Sequence, residues 1–375
     1  MTEVELPPGR RVVVAEFAED PGAAIEHHVA LVEQAPPAPA SLGPRDVLIE
    51  IRSAAVGWVD LLMTSGQYQH MPAPPYTPGL EYAGVVAWAG AEVPAGAAPL
   101  GSAVFVDALL AGPRSLGAYQ AYGGWASYAV APAESVRPLP AGLSFDQACN
   151  LLGSYETAYH CLVTCGKLQP GETVLIHGAS GATGLAAVHL AKLLGATVIA
   201  TGRTQEKLAV VKAQGADHVL SCKSEDGTAG VRRFRDEVKA LTGGAGVDVV
   251  YDGVGGDITV ESLRCLKFGG RLLIVGWAAT PNVARGKGLR GAPNANQLPT
   301  NLLMMKALTV QGCPTVLATL NDPSLRPPRL DRIMRWVAEG KIVPHVSHVF
   351  PLAEFKEAMR AKWRGEVIGG CVLRP

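Results

Sequence analysis

Between Glu172 and Gly276 the chain alternates short apolar strands with helices so regularly that few architectures accommodate it. TVLIHG (173–178), TVIAT (197–201), HVL (218–220), VDVVYDGVG (247–255) and RLLIVG (271–276) read as strands. ATGLAAVHLAKLLG (182–195), QEKLAVVKAQG (205–215), VRRFRDEVKALTGG (231–244) and ITVESLRCLKFGG (258–270) read as the helices between them. Strands that are apolar throughout are buried on both faces. The pattern therefore predicts an α/β, doubly wound parallel sheet with helices on each side.

The first strand leaves through HGASGATG, in which Ala179, Gly181 and Gly184 take the spacing of a dinucleotide-binding turn, with Ala in the place of the first Gly. Ser180, Ala182 and Thr183 complete a turn whose backbone N–H groups, at a helix N-terminus, suit a pyrophosphate. Gly181 lets a phosphate approach, and Gly184 lets the helix lie close on the strand. The string alone is weak; opening a helix directly after a strand is what strengthens it. The plainer alternative is a structural tight turn.

The second strand ends Ala200-Thr201-Gly202-Arg203, with Lys207 one turn further on. A site for NADH usually has a carboxylate there to accept from the ribose 2′-hydroxyl. A guanidinium instead suits a 2′-phosphate, so NADPH is the expected cofactor. Otherwise Arg203 and Lys207 are simply solvated at a helix start.

Around this core the texture differs. Strand-like runs RRVVVAEFA (10–18), DVLIEIRSAAV (46–56) and EYAGVVAWAG (81–90), punctuated by Gly and Pro, make the first 150 residues mostly β. The stretch 107–124 reads as an insertion or mobile loop. Residues 144–166 read as a helix, with Ser144 as N-cap and Gln147 three residues on. Helical segments at 323–342 and 351–365 and a strand at 367–373 read as a tail that packs back on the N-terminal domain. The expected domains are 1–150, 151–313 and 314–375, the last returning to the first; 375 residues suit two cores.

Lys and Arg number 33, as do Asp and Glu, and neither sign gathers on one segment. That argues against a nucleic-acid or membrane partner. The start, MTEVELPPGRR, has no apolar stretch behind its charges, so no signal peptide is expected. Seven scattered cysteines suit reduced thiols. A cytoplasmic protein is the expectation.

VDLLMTSGQY (59–68), YTPGLEYAGVV (76–86), GGWASYAV (123–130), the glycine turn, GVDVVYDGVGG (246–256), SLRCLKFGGRLLIVG (262–276) and NLLMMKALTVQG (301–312) together resemble the medium-chain dehydrogenase/reductase superfamily, in its zinc-independent quinone oxidoreductase-like branch. The resemblance covers nearly the whole chain. It implies a Rossmann domain joined to a GroES-like mostly-β domain, and a homodimer. It also implies cofactor contacts at Thr157, Gly253, Val254, Gly276 and Trp277, beside those of the glycine turn.

Zinc alcohol dehydrogenases of this superfamily carry a Cys where this chain has Gly57, a His where it has Leu80 and a Cys near Ser154. The four-Cys structural loop also has no counterpart. No catalytic metal is therefore expected. Without a Lewis acid, the chemistry that fits is hydride delivery from NADPH to an electron-poor small molecule, a quinone or an α,β-unsaturated carbonyl. The branch places an Asn at Gly57 and, in some members, a Tyr at Leu62.

Catalytic candidates are Tyr68, which matches a family Tyr, Tyr155 beside Thr157, and Asp60, which also reads as a carboxylate that orders its loop. Either Tyr is equally readable as a packed aromatic. Two other functions stay open. One is an enoyl-thioester reductase, with Arg285, Lys287 and Arg290 as a carrier-binding charge. The other is a crystallin-like NADPH binder with little catalysis. His177 reads as a turn residue, His27 and His28 as solvent-facing, and Cys161 and Cys165 as core.

Overall fold

A computed structural model describes residues 6–68, 71–115, 117–224, 230–279 and 296–375. They fall in two compact units, one within Met1–Gly153 and Val343–Pro375, the other within Ser154–Val283 and Gly291–Ile342.

In the first unit β1 (Gly9–Val14) and β2 (Val29–Gln34) form an antiparallel ribbon. The larger sheet is built on β3 (Asp46–Ala55). One edge of β3 pairs with β4 (Tyr82–Ala89), followed by β5 (Ala103–Val106) and β7 (Val136–Pro138). Its first half also pairs with β6 (Tyr128–Pro132) and its last two residues with the C-terminal strand, Gly370–Arg374. This is the expected GroES-like β architecture. Fully buried Trp125 donates its indole N–H to the Ala55 carbonyl (2.9 Å), so the largest core side chain leaves no polar atom unpaired. The capping box at Ser144 and Gln147 is present: Gln147 N–H donates to Ser144 Oγ (3.3 Å) and Ser144 N–H to Gln147 Oε1 (2.9 Å).

The stretch 107–124 differs from its reading as a loose insertion. Asp107, Ala111 and Ser115 are buried, and the Tyr119 hydroxyl donates to Asp46 (2.6 Å). Short Gly-rich turns concealed those anchors in the sequence.

The second unit is a parallel sheet of β8 (Thr173–His177), β9 (Thr197–Gly202), β10 (His218–Ser221), β11 (Val247–Asp252), β12 (Leu266–Ile274) and β13 (Thr309–Gly312). Its order is β10-β9-β8-β11-β12-β13, the Rossmann order, with the reversal between β8 and β11. The helix read over 258–270 stops at Cys265, and β12 starts at Leu266. Gly269 has φ +74°, which no continuing helix allows.

The second unit extends to Ile342, whereas the sequence placed the return at residue 314. Arg326 and Arg329, on the helix Arg326–Ala338, hold Glu156 on the helix Leu152–Tyr159 at 2.8–3.0 Å. Arg329 is 1% exposed. Breaking such a buried pair costs about 3–5 kcal/mol, enough to fix that helix on this unit.

Candidate functional site

The strand ends β8, β9, β11 and β12 gather the residues expected to hold a dinucleotide. After β8 the chain turns at Gly178 (φ +64°), whose carbonyl accepts from Gly181 N–H at 2.9 Å. Ala179 is fully buried and Gly181 is exposed. A Cβ at Gly184 would stand 2.2 Å from the Gly178 carbonyl oxygen, so the helix Ala182–Leu193 rests directly on the turn. Its N-cap, Gly181, supplies no side-chain acceptor, and the first backbone bond of the helix runs from Leu185 N–H to Gly181 O (2.8 Å). The amides of Ala182, Thr183 and Gly184 thus precede the helical ladder, beside half-buried Ser180. This is a cradle for an anion.

Beyond β9, Arg203 is exposed and has no carboxylate partner among the described residues. Lys207 follows one turn into the helix Gln205–Ala213. No acidic residue ends β9; the nearest in sequence is Glu206, in the first turn of the following helix.

The turn after β11 is ordered by Asp252, which sequence reasoning missed. Buried Asp252 accepts from Val254 N–H and Gly255 N–H, each at 2.9 Å, and from the Thr259 hydroxyl. The Val254 amide is thereby occupied. A Cβ at Gly253 would meet nothing within 4 Å, and one at Gly276 would lie 3.2 Å from Gly253 O. A Cβ at Gly178 would lie 3.1 Å from the Val254 side chain, and one at Gly255 would lie 3.2 Å from Trp277 Cα. The loops after β8, β11 and β12 therefore touch at the point where the strand order reverses. Thr157 lies half-buried on the helix Leu152–Tyr159.

His177 is not a turn residue. It is buried, with Nδ1 2.7 Å from Thr201 Oγ1 and Nε2 2.5 Å from Ser262 Oγ. Ser262 spends its proton on the Ile258 carbonyl (2.5 Å), so Nε2 donates to Ser262 and Nδ1 accepts from Thr201. Burial pushes the imidazole down to about 4, which keeps it neutral. It joins two strands to a helix.

Tyr155 takes the packing reading. It is 2% exposed and its hydroxyl lies 2.7 Å from His189 Nδ1. His189 Nε2 is 3.0 Å from Gln214 Oε1, so Nε2 donates there and Nδ1 accepts the phenol proton. A phenol buried and engaged in this way has no proton to offer a ligand.

In the first unit Asp60 is 2% exposed and accepts three backbone N–H groups: Gly57 on Oδ2 (2.8 Å), and Leu80 (3.0 Å) and Gly79 (3.2 Å) on Oδ1. Burial raises its pKa to about 6 against the pull of these bonds. The carboxylate fastens the start of the helix Trp58–Thr64 to the loop at 79–80. A Cβ at Gly57 would stand 2.9 Å from Asp60 Oδ2, so a larger residue there would need that carboxylate to shift. Trp58 stacks on Trp363 with 5.4 Å between ring centroids. Tyr68 is partly buried against the core of this unit.

Leu80 is 6% exposed, and Gly57, Leu80 and Ser154 supply no thiolate or imidazole. His27 and His28 lie on a wide helical turn, Ala24–His28; His27 is exposed and His28, half-buried, contacts Glu16 (2.8 Å). Cys161 is buried and Cys165 partly so. Arg285, Lys287 and Arg290 lie outside the described residues. Among the described residues no helix is long and apolar enough to cross a membrane.

The family model described as alcohol dehydrogenase GroES-like domain matches residues 43–141, and that described as zinc-binding dehydrogenase matches residues 182–323. Quinone oxidoreductase-like protein 2 homolog of Nematostella vectensis is 32% identical over 334 residues, 88% of this chain and 82% of that protein. Quinone oxidoreductase of Escherichia coli, solved with NADPH, superimposes with a TM-score of 0.75 at 25% identity, covering 98% of this chain and all of the other. The quinone oxidoreductase of Thermus thermophilus, also solved with NADPH, gives 0.73 at 26% identity, with the same coverage.

A Rossmann sheet with an open glycine cradle and a GroES-like β unit define a dinucleotide-dependent oxidoreductase class. The chain belongs to the medium-chain dehydrogenase/reductase superfamily, in its quinone oxidoreductase-like branch.

Proposed function

We propose that the protein is an NADPH-dependent, zinc-independent reductase of quinones or α,β-unsaturated carbonyls. The observation that carries this reading is Arg203: an exposed guanidinium, without a carboxylate partner among the described residues, one residue past β9. Bound NADPH supplies a hydride to the electron-poor acceptor.

The chain's own residues then have separable tasks. Ser180, Gly181 and the amides of Ala182, Thr183 and Gly184 hold the pyrophosphate, which a helix N-terminus favours. Arg203 and Lys207 hold the 2′-phosphate. Ala179 and Gly184 keep the turn close to the sheet. Thr157, Gly253, Val254, Gly276 and Trp277 line the rest of the cofactor, Val254 through its side chain because its amide is taken. Asp60 positions the 57–60 and 79–80 loops and is not a proton donor. Tyr68 is the remaining hydroxyl for the charge that develops on the acceptor oxygen.

We also propose a homodimer through β13, the outer strand of its sheet. Its four residues are all exposed, and Met304 and Met305 beside it are 76% and 66% exposed. Sedimentation at increasing concentration tests this, with a monomer throughout as the contrary result.

The functional test compares NADPH oxidation with a quinone, an enone and an enoyl-CoA. Turnover with the first two and little with the third is expected. Enoyl-CoA as the preferred acceptor would favour the thioester reductase. Tight NADPH binding with no acceptor-dependent oxidation would favour the crystallin-like reading, for which Gly57 in place of the branch's Asn speaks.

A further inference from the structure

Behind the turns that follow β11 and β12 runs a chain of side-chain hydrogen bonds that reaches far along the sequence. Half-buried Asn296 donates from its amide nitrogen to Thr259 Oγ1 at 3.0 Å, across 37 residues. Thr259 is fully buried on the helix Asp257–Cys265, and its hydroxyl donates to Asp252 Oδ2. Asp252 Oδ1 accepts from Val254 and Gly255 N–H. The Asp252 backbone carbonyl accepts from Val275 N–H (2.8 Å) and Gly276 N–H (3.2 Å). Asp252 therefore holds both turns, and Thr259 with Asn296 holds Asp252.

The direction of each bond is fixed. The Asp252 carboxylate only accepts, so the Thr259 hydroxyl spends its proton there. The Thr259 oxygen is left to accept, and Asn296 must turn its NH₂ group toward it. The turn needs such support. Gly255 and Gly256 have φ +74° and +73°, a left-handed conformation that belongs to no strand or helix. A Cβ at Gly255 would lie 3.2 Å from Trp277 Cα and 3.6 Å from Asn296 Nδ2, so Asn296 also closes on the turn directly.

We infer that Asn296 and Thr259 are positioning residues for the dinucleotide. Acting through Asp252, they set where Gly253, Val254 and Gly276 meet the part of the cofactor beyond the adenosine end; this rests on the NADPH reading above. Arg203 and Lys207 stand at the end of a different strand, β9, and are untouched by the chain. The two groups of residues thus serve opposite ends of one ligand. Loss of the Asn296–Thr259 support should weaken NADPH and NADH alike, whereas loss of Arg203 should weaken NADPH alone.

The test titrates the folded full-length protein with NADPH, NADH and 2′,5′-ADP by calorimetry. Thr259→Val removes the hydroxyl at constant shape, Thr259→Ser keeps it, and Asn296→Leu removes the outer donor. Thr259→Val should bind NADPH and NADH each about tenfold more weakly, with 2′,5′-ADP unchanged and affinity restored in Thr259→Ser. Asn296→Leu should show the same pattern at about threefold. Unchanged 2′,5′-ADP binding also shows that the variant is folded; should Thr259→Val fold poorly, Asn296→Leu decides. Native NADPH affinity in that deciding variant, equal weakening of 2′,5′-ADP, or no recovery in Thr259→Ser would overturn the inference. A native protein that binds neither NADPH nor 2′,5′-ADP would instead overturn the NADPH reading, and the inference with it.

Discussion

The backbone N–H of Leu80 donates to Asp60 Oδ1 at 3.0 Å, at the residue where zinc alcohol dehydrogenases of this superfamily have a histidine. The loop that presents a metal ligand elsewhere is here held by a buried carboxylate. Asp60→Asn keeps the shape and an oxygen for Gly79 and Leu80, but turns an NH₂ group toward the Gly57 N–H. The loss is about 2–3 kcal/mol, seen as a lower urea midpoint. An unchanged midpoint would remove the positioning role.

The buried His177 makes stability depend on pH. Its folded pKa, about 4, lies below the ordinary 6.5, so between these values the unfolded chain binds the extra proton. The His177 contribution is therefore fully present above about pH 6.5 and lost as pH falls toward 4, by up to about 3 kcal/mol. Urea unfolding followed from about pH 7 to about pH 5 checks this. His177→Gln should flatten the slope, and equal slopes in both proteins would be the contrary outcome.

The two tyrosines separate by substitution. Tyr155→Phe removes only the hydrogen bond to His189 Nδ1, costs about 1 kcal/mol of stability and leaves kcat unchanged. Tyr68→Phe should leave stability nearly unchanged and lower kcat about 10²-fold if its hydroxyl supports the acceptor oxygen. Steady-state rates beside thermal melts distinguish them; a kcat loss confined to Tyr155→Phe would reverse the assignment.

Much of the fold was legible because apolar strands and helix caps are local signals. The glycine turn, the parallel strands and the Ser144–Gln147 box all follow from residues within a few positions of one another. The misreadings arose where distant partners decide. Arg326 and Arg329 reach back to Glu156, 170 and 173 residues away, and move the unit boundary to Ile342. His177 was misread and Tyr155 left open because their partners, Thr201 and Ser262 for the one and His189 for the other, lie on other elements. Asp252 was readable in principle, as a short carboxylate before GVGG at a strand end.

Arg203 is proposed to read the 2′-phosphate of NADPH. This reading is tested most directly by titrating the native protein and Arg203→Ala with NADPH and with NADH, following nicotinamide fluorescence. Loss of a charge-assisted contact of about 1.5–3 kcal/mol predicts roughly 10- to 100-fold weaker NADPH binding with NADH affinity unchanged. Equal weakening of both cofactors, or of neither, would contradict the account.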